Sequence, residues 1–173
     1  TLVPMLIGRV FHLTKAENIE KIIQDGFIDN NYDERHGLNT GSLKSFGRLM
    51  HYVCLFDFRN LDEEKISGVH DCYSFSSPTW FRRLERDHEI YEMAVFFLSP
   101  QKYSCVIPNE TARAHMTATG IQYMYIPTAE VWIKDRLPID FIEHVLNLRI
   151  VKRVPDSGVL RVHHELALQN RKP

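Results

Sequence analysis

Two residues near the start of the chain and one far downstream have types and surroundings suited to chemistry on a nucleotide. His12 and Thr14 stand in VFHLTKAENIEKIIQDGF, where a strand-like apolar run meets a helical pattern. A side chain at the end of a strand, beside a helix N-terminus, points into the crevice where nucleotides often bind. Imidazole and hydroxyl can both bond a ribose. The plain alternative makes Thr14 the helix cap, with Glu17 completing a capping box, and His12 a satisfied strand-end residue. For His-x-Thr alone, that alternative outweighs the functional one. Glu130 lies in IPTAEVWIKDRLP. An acid entering an apolar strand is costly to bury without a partner. Alternation gives Ala129, Val131 and Ile133 one face, and Glu130, Trp132 and Lys134 the other. That half-polar face suits a cleft wall and a solvent face equally.

The elements that must hold these residues follow from periodicity. MLIGRVFHL predicts a buried strand, and KAENIEKIIQDG a helix with Ala16, Ile19, Ile22 and Ile23 at helical spacing, stopped by Gly26. Asn30 to Gly47 predicts a long loop, and His51 to Phe58 a strong strand. LDEEKISG has helical character, and Asp71 to Ser76 suggests a short extended piece. Ser77-Pro78 then suggests a helix start into TWFRRLERD, with Arg82, Arg83 and Arg86 on one side. YEMAVFFLS predicts a buried strand, YSCVIP a short extended piece, and NETARAHMTATG a helix and loop closed by Gly120. TAEVWIKD predicts a strand and LPIDFIEHVLNL a helix. LRIVKRV fits a strand or the end of that helix, and RVHHELALQN a last helix. Strands and helices alternate without the even rhythm of βαβ repeats. The expectation is a single α+β domain over residues 1–173, with mixed sheets.

Composition narrows the field. The 173 residues are 44% hydrophobic and 25% charged, with a formal net charge of -1 and a pI near 6.7. No global positive charge advertises a nucleic-acid binder, although a local basic face remains open. Cys54, Cys72 and Cys105 form no CxxC pair and are expected to be buried thiols in a reducing compartment. His70-Asp71-Cys72 could offer two metal ligands, but a zinc site needs three or four, so no metal is expected. No run is long and apolar enough to span a membrane, and TLVPMLIGRV lacks the basic region of a signal peptide, so a cytoplasmic location is expected. No P-loop, GxGxxG, HExxH or GxSxG occurs, which removes most kinase, Rossmann, zincin and hydrolase readings.

Three stretches together carry a family resemblance: FHLTKAENIEKIIQDGF, HYVCLFDFR and TAEVWIKDRLPIDFI. In this order they resemble the first strand, second core strand and catalytic-glutamate stretch of the ADP-ribosyltransferase superfamily, nearest its DarT-like nucleic-acid-modifying toxins. The resemblance implies split mixed β-sheets with flanking helices around an NAD cleft. It implies that His12 bonds the NAD ribose, that Thr14 helps hold the nicotinamide-side nucleoside, and that Glu130 stabilises the oxocarbenium-like state as nicotinamide leaves. The family also has a middle residue. Arg48 is the preferred match, holding NAD phosphates, with Ser42, Tyr73, Ser74 and Ser76 as alternatives. NAD would be a co-substrate, nucleic acid the acceptor, and a neutralising antitoxin the implied partner.

Thr128, two positions before Glu130, stands where protein-modifying relatives often carry Gln or Glu. It argues against an arginine-specific protein modifier, although a protein target remains an alternative. Arg113, His115, Gln122, Tyr123 and Tyr125 precede the glutamate strand and could meet an acceptor base, with Tyr125 better suited to the core. RNA 2'-phosphotransferases share the fold but rely on His and Arg where Glu130 stands, which counts against that reaction. A non-enzymatic nucleotide- or partner-binding module is the remaining rival.

Overall fold

The computed structural model of the protein describes residues 3–30, 44–73, 82–85, 88–153 and 162–165. Its frame is a seven-stranded sheet. The strands are β1 (Val10–Lys15), β3 (Tyr52–Asp57), β4 (Arg82–Glu85), β5 (His88–Leu98), β6 (Glu130–Lys134), β8 (Ile142–Arg153) and β9 (Val162–Glu165), with β2 (Phe27–Asp29) and β7 (Arg136–Pro138) forming a separate pair. The large sheet runs β6-β3-β1-β5-β8-β9, and β4 also pairs with β5. Among the described residues every ladder is antiparallel. The α+β class therefore holds, but the strands pair antiparallel where mixed sheets are expected.

Alternation along the strands sorts the core. Phe11, Met93, Val95, Phe97, Leu146 and Leu148 form one cluster with Leu6, Ile66 and Val69, which come from helices α1 (Val3–Leu6) and α4 (Glu63–Tyr73). Val10, Val53, Leu55, Ala94, Phe96, Val131 and Ile133 form a second, against which Ile19 and Ile22 pack from the region of α2 (Ile19–Asp25). A third joins Phe46 of α3 (Phe46–Leu49), Ala112 of α5 (Glu110–Thr119) and Trp132 of β6. Helix α2 ends as expected. Gly26 takes φ 78°, open to glycine without steric cost, and its N–H bonds Ile22 O.

Several expectations fail for identifiable reasons. Thr14 lies inside β1 and caps nothing; Asn18 Nδ2 donates to its Oγ1 at 2.9 Å. The chain enters α2 through a 3-10 turn at Ala16–Asn18, preceded by Lys15 with no side-chain cap, so no capping box forms. Asp71 to Tyr73 belong to α4, not to an extended piece. Arg82 and Arg83 lie on β4, opposite Tyr91 and Ile90, so hairpin pairing replaces the helix expected for RRLER. Tyr103 to Cys105 close a 3-10 turn opened by Pro100.

The stretch LPIDFIEHVLNL misleads through a β-bulge. Phe97 pairs with His144 and Leu98 with Ile142, so Glu143 is skipped. The skip puts Ile142 and Val145, three apart, against the same cluster. Helical spacing in the sequence is here a strand with its phase shifted, and β8 ladders with β5 from His88 to Leu98. The bulged Glu143 forms an ion pair with Arg9. Residues 162–165 are likewise strand, paired to β8, rather than helix.

Among the described residues, no helix is long and apolar enough to cross a membrane. No group of three or more His, Cys, Asp or Glu that could hold a metal occurs among them.

Candidate active site

His12 is half-buried on β1, where it pairs with Phe96 of β5. On its other side the β1–β3 ladder covers only Val10↔Asp57 and Phe11↔Phe56. The imidazole meets the next carbonyl of β3 instead, with Nδ1 2.8 Å from Cys54 O. A carbonyl only accepts, so Nδ1 carries the proton. Burial lowers the His12 pKa, with the bond to Cys54 opposing, so the neutral ring is favoured. A neutral ring protonated at Nδ1 leaves Nε2 as a bare acceptor, the form needed to take a hydrogen bond from a ribose hydroxyl.

Glu130 opens β6 and is the one buried acid among the described residues, 8% exposed. Three donors converge on it. Trp132 Nε1 donates to Oε1 at 2.9 Å, Cys54 Sγ donates to the same oxygen at 3.2 Å, and the Ile126 amide donates to Oε2 at 2.9 Å. Burial raises the Glu130 pKa above the usual carboxylate range, while those three bonds pull it back. Cys54, pressed by burial and by the Glu130 charge, has its thiol pKa pushed well up and stays protonated. The alternation expected for this strand holds from Val131 on: Val131 and Ile133 pack in one cluster and Trp132 in another. Ala129, in the turn before the strand, joins the cluster of Phe11 instead.

The turn that delivers Glu130 is stitched by Asn109. Its Nδ2 donates to Ile126 O at 3.2 Å and Glu130 O at 2.7 Å, and its Oδ1 accepts from the Thr128 amide at 3.3 Å. Thr128 is exposed with φ 68°, a left-handed conformation costly for a β-branched residue. Thr128→Gly is expected to stabilise the fold by about 0.5–1 kcal/mol, as relief of strain outweighs the added freedom of the unfolded chain. Urea unfolding measures it. A loss of stability would mean that the threonine side chain contributes more than its backbone costs.

Register separates the candidates. His12 and Thr14 pair with Phe96 and Ala94, which belong to the second cluster. Glu130 pairs with Phe56, which sits opposite Phe11 and packs against the first. His12 and Glu130 thus lie on opposite faces of the sheet, linked through Cys54, whose carbonyl meets one and whose thiol meets the other.

Arg48 is half-buried in the last turn of α3. It follows Gly47, which packs directly on Cys54 and Trp132. Ser42, Ser74 and Ser76 lie outside the described residues. Tyr73 ends α4, and its side chain also lies outside them.

Of the candidate acceptor-binding residues, His115 lies on α5 with Nε2 3.2 Å from Tyr123 Oη, and both rings meet Phe46 in edge-to-face contacts. Tyr125 stands against Trp132. These three rings are therefore packing groups, while Arg113 and Gln122 are exposed. The expectation of buried thiols fails at Cys105, which is exposed, and Cys54 is half-buried.

Cys54, Trp132, Asn109 and Gly47 escaped the sequence reading as site residues. Only Trp132 left a signal there, as the aromatic sharing Glu130's face. No protein-family model, curated protein or solved structure matches the chain.

Proposed function

We propose that the chain is an NAD-dependent ADP-ribosyltransferase of the DarT-like kind, which transfers ADP-ribose to nucleic acid and releases nicotinamide. One observation carries the reading. The three stretches that bear the resemblance supply neighbouring strands, β6-β3-β1, and their acid and imidazole both bond to Cys54 of the middle strand. The β1–β3 ladder stops at Phe11, and beyond it the His12 ring rather than a strand pair bridges to β3, which supports a nucleotide site at this edge.

His12 Nε2 accepts from a ribose hydroxyl, and Thr14 supports the nicotinamide-side nucleoside. Arg48 serves the phosphates. As the ribose C1–N bond breaks, its electron pair leaves with neutral nicotinamide. The ribose gains positive charge, which the Glu130 carboxylate opposes from a low-dielectric setting. The acceptor then bonds C1 and gives up a proton. A toxin of this kind implies a neutralising partner in the same cell.

A second reading has its own support. Both Glu130 oxygens already accept hydrogen bonds, as expected of a structural carboxylate in a module that binds nucleotide without consuming it. Incubation with NAD, with and without pooled DNA, RNA and protein acceptors, separates the two. The transferase releases nicotinamide, detected by mass spectrometry, when nucleic acid is supplied. Binding of intact NAD without release supports the module, and neither binding nor release sinks both.

A further inference from the structure

We infer that Cys54 is a positioning residue for Glu130, its thiol fixing the carboxylate that faces the reacting ribose; the inference rests on the transferase reading for its kinetic consequence alone. Cys54 pairs with Trp132 across the β3–β6 ladder, so the two donors to Glu130 Oε1 are cross-strand neighbours. The sulfur is also held from the other side. A Cβ on Gly47 would stand 2.4 Å from Sγ, so the α3 backbone closes over the thiol. Ser45 Oγ, 4.0 Å from Sγ, is at the outer limit of a sulfur hydrogen bond.

Thiol, indole and backbone amide arrive from β3, β6 and the turn before β6, which fixes the carboxylate plane from three directions. A protonated thiol suits this place. It donates to the acid while its bulk fills the space between Gly47 and Trp132. The His12 contact uses the Cys54 carbonyl, so side-chain replacement removes the donor to Glu130 and keeps that contact.

The test compares Cys54→Ala and Cys54→Ser with the wild type in two measurements. The first needs no NAD. Trp132 is one of two tryptophans, and its indole N–H resonance, assigned with Trp80→Phe, follows the titration of the carboxylate that it bonds. Loss of an anion-stabilising donor moves that midpoint to higher pH in Cys54→Ala, and the serine hydroxyl holds it nearer the wild-type value. The second is nicotinamide release. Cys54→Ala is expected to lower kcat about tenfold with KM for NAD unchanged, and Cys54→Ser to recover most of it.

An unmoved midpoint in Cys54→Ala overturns the inference even if activity or melting temperature falls, because the thiol is then packing alone. A Cys54→Ser midpoint displaced as far as alanine's overturns it equally. A wild type that releases no nicotinamide defeats the transferase reading, while the titration still decides whether Cys54 holds Glu130.

Discussion

Glu130→Gln is expected to slow nicotinamide release by about a hundredfold or more while NAD still binds, because the substitution removes charge that matters most when the ribose is cationic. Glutamine is close in shape but wrong in hydrogen bonding. The Ile126 amide, the Trp132 indole and the Cys54 thiol all donate toward the acid. An amide has one accepting oxygen, so its NH2 must face one of these donors. The site is therefore built for an ionised carboxylate, although burial pushes the Glu130 pKa up.

Linkage gives this conflict a measurable sign. A carboxyl whose pKa is raised on folding contributes stability that is fully present below its unfolded pKa. That contribution is lost as pH rises through the folded value. The stability of Glu130→Gln relative to wild type should accordingly improve as pH climbs from the ordinary carboxylate range toward neutrality. Paired urea titrations across that range read the trend directly. Turnover should show the reverse dependence on the acid: wild-type activity needs the ionised form and falls on its acidic side at a higher pH than an exposed glutamate would give. A glutamine variant that turns over NAD normally would return Glu130 to a structural role.

The parts of this fold that were legible in sequence were those fixed by local periodicity. β3, β5 and β6 announced themselves through apolar runs, and α2 through the stop at Gly26, whereas at α5 the glycine expected to close a loop caps the helix itself. The failures lie where distant pairing decides. Nothing local marks Glu143 as a bulge, yet skipping it turns an apparent helix into β8. Arg82 to Glu85 become strand because His88 to Tyr91 lie beside them. At the site, Glu130 was visible because an acid in an apolar strand is conspicuous. Its partners were not, because Cys54 and Ile126 are ordinary residues brought to it by register and by a turn. The opposite-face placement of His12 was equally hidden, since parity within one strand says nothing about parity relative to another until the pairs are known.

Gly47→Ala should be the most disruptive single methyl in the described core, and it bears on the site through packing rather than chemistry. A Cβ there would lie 2.4 Å from Cys54 Sγ, 2.7 Å from Trp132 Cδ1 and 2.8 Å from Trp132 Nε1. None of these atoms has an easy retreat. Trp132 is fully buried against Phe46 and Ala112, and its Nε1 is committed to Glu130. Alanine suits a helix better than glycine by up to about 1 kcal/mol, but overpacking of this kind costs about 1–3 kcal/mol. With a thiol and an indole that are both held in place, a net loss of about 2 kcal/mol is expected, which lowers Tm by roughly 4–8 °C at this chain length. Gly68 in α4 is the control, because a Cβ there meets nothing within 4 Å. Gly68→Ala should raise Tm slightly through helix propensity alone. The same substitution then has opposite signs at two helical positions, and only the one against Trp132 should also shift the indole N–H resonance. Equal melting temperatures for the two variants would mean that α3 moves away from β6 freely, and that the donors around Glu130 are not held by packing at all.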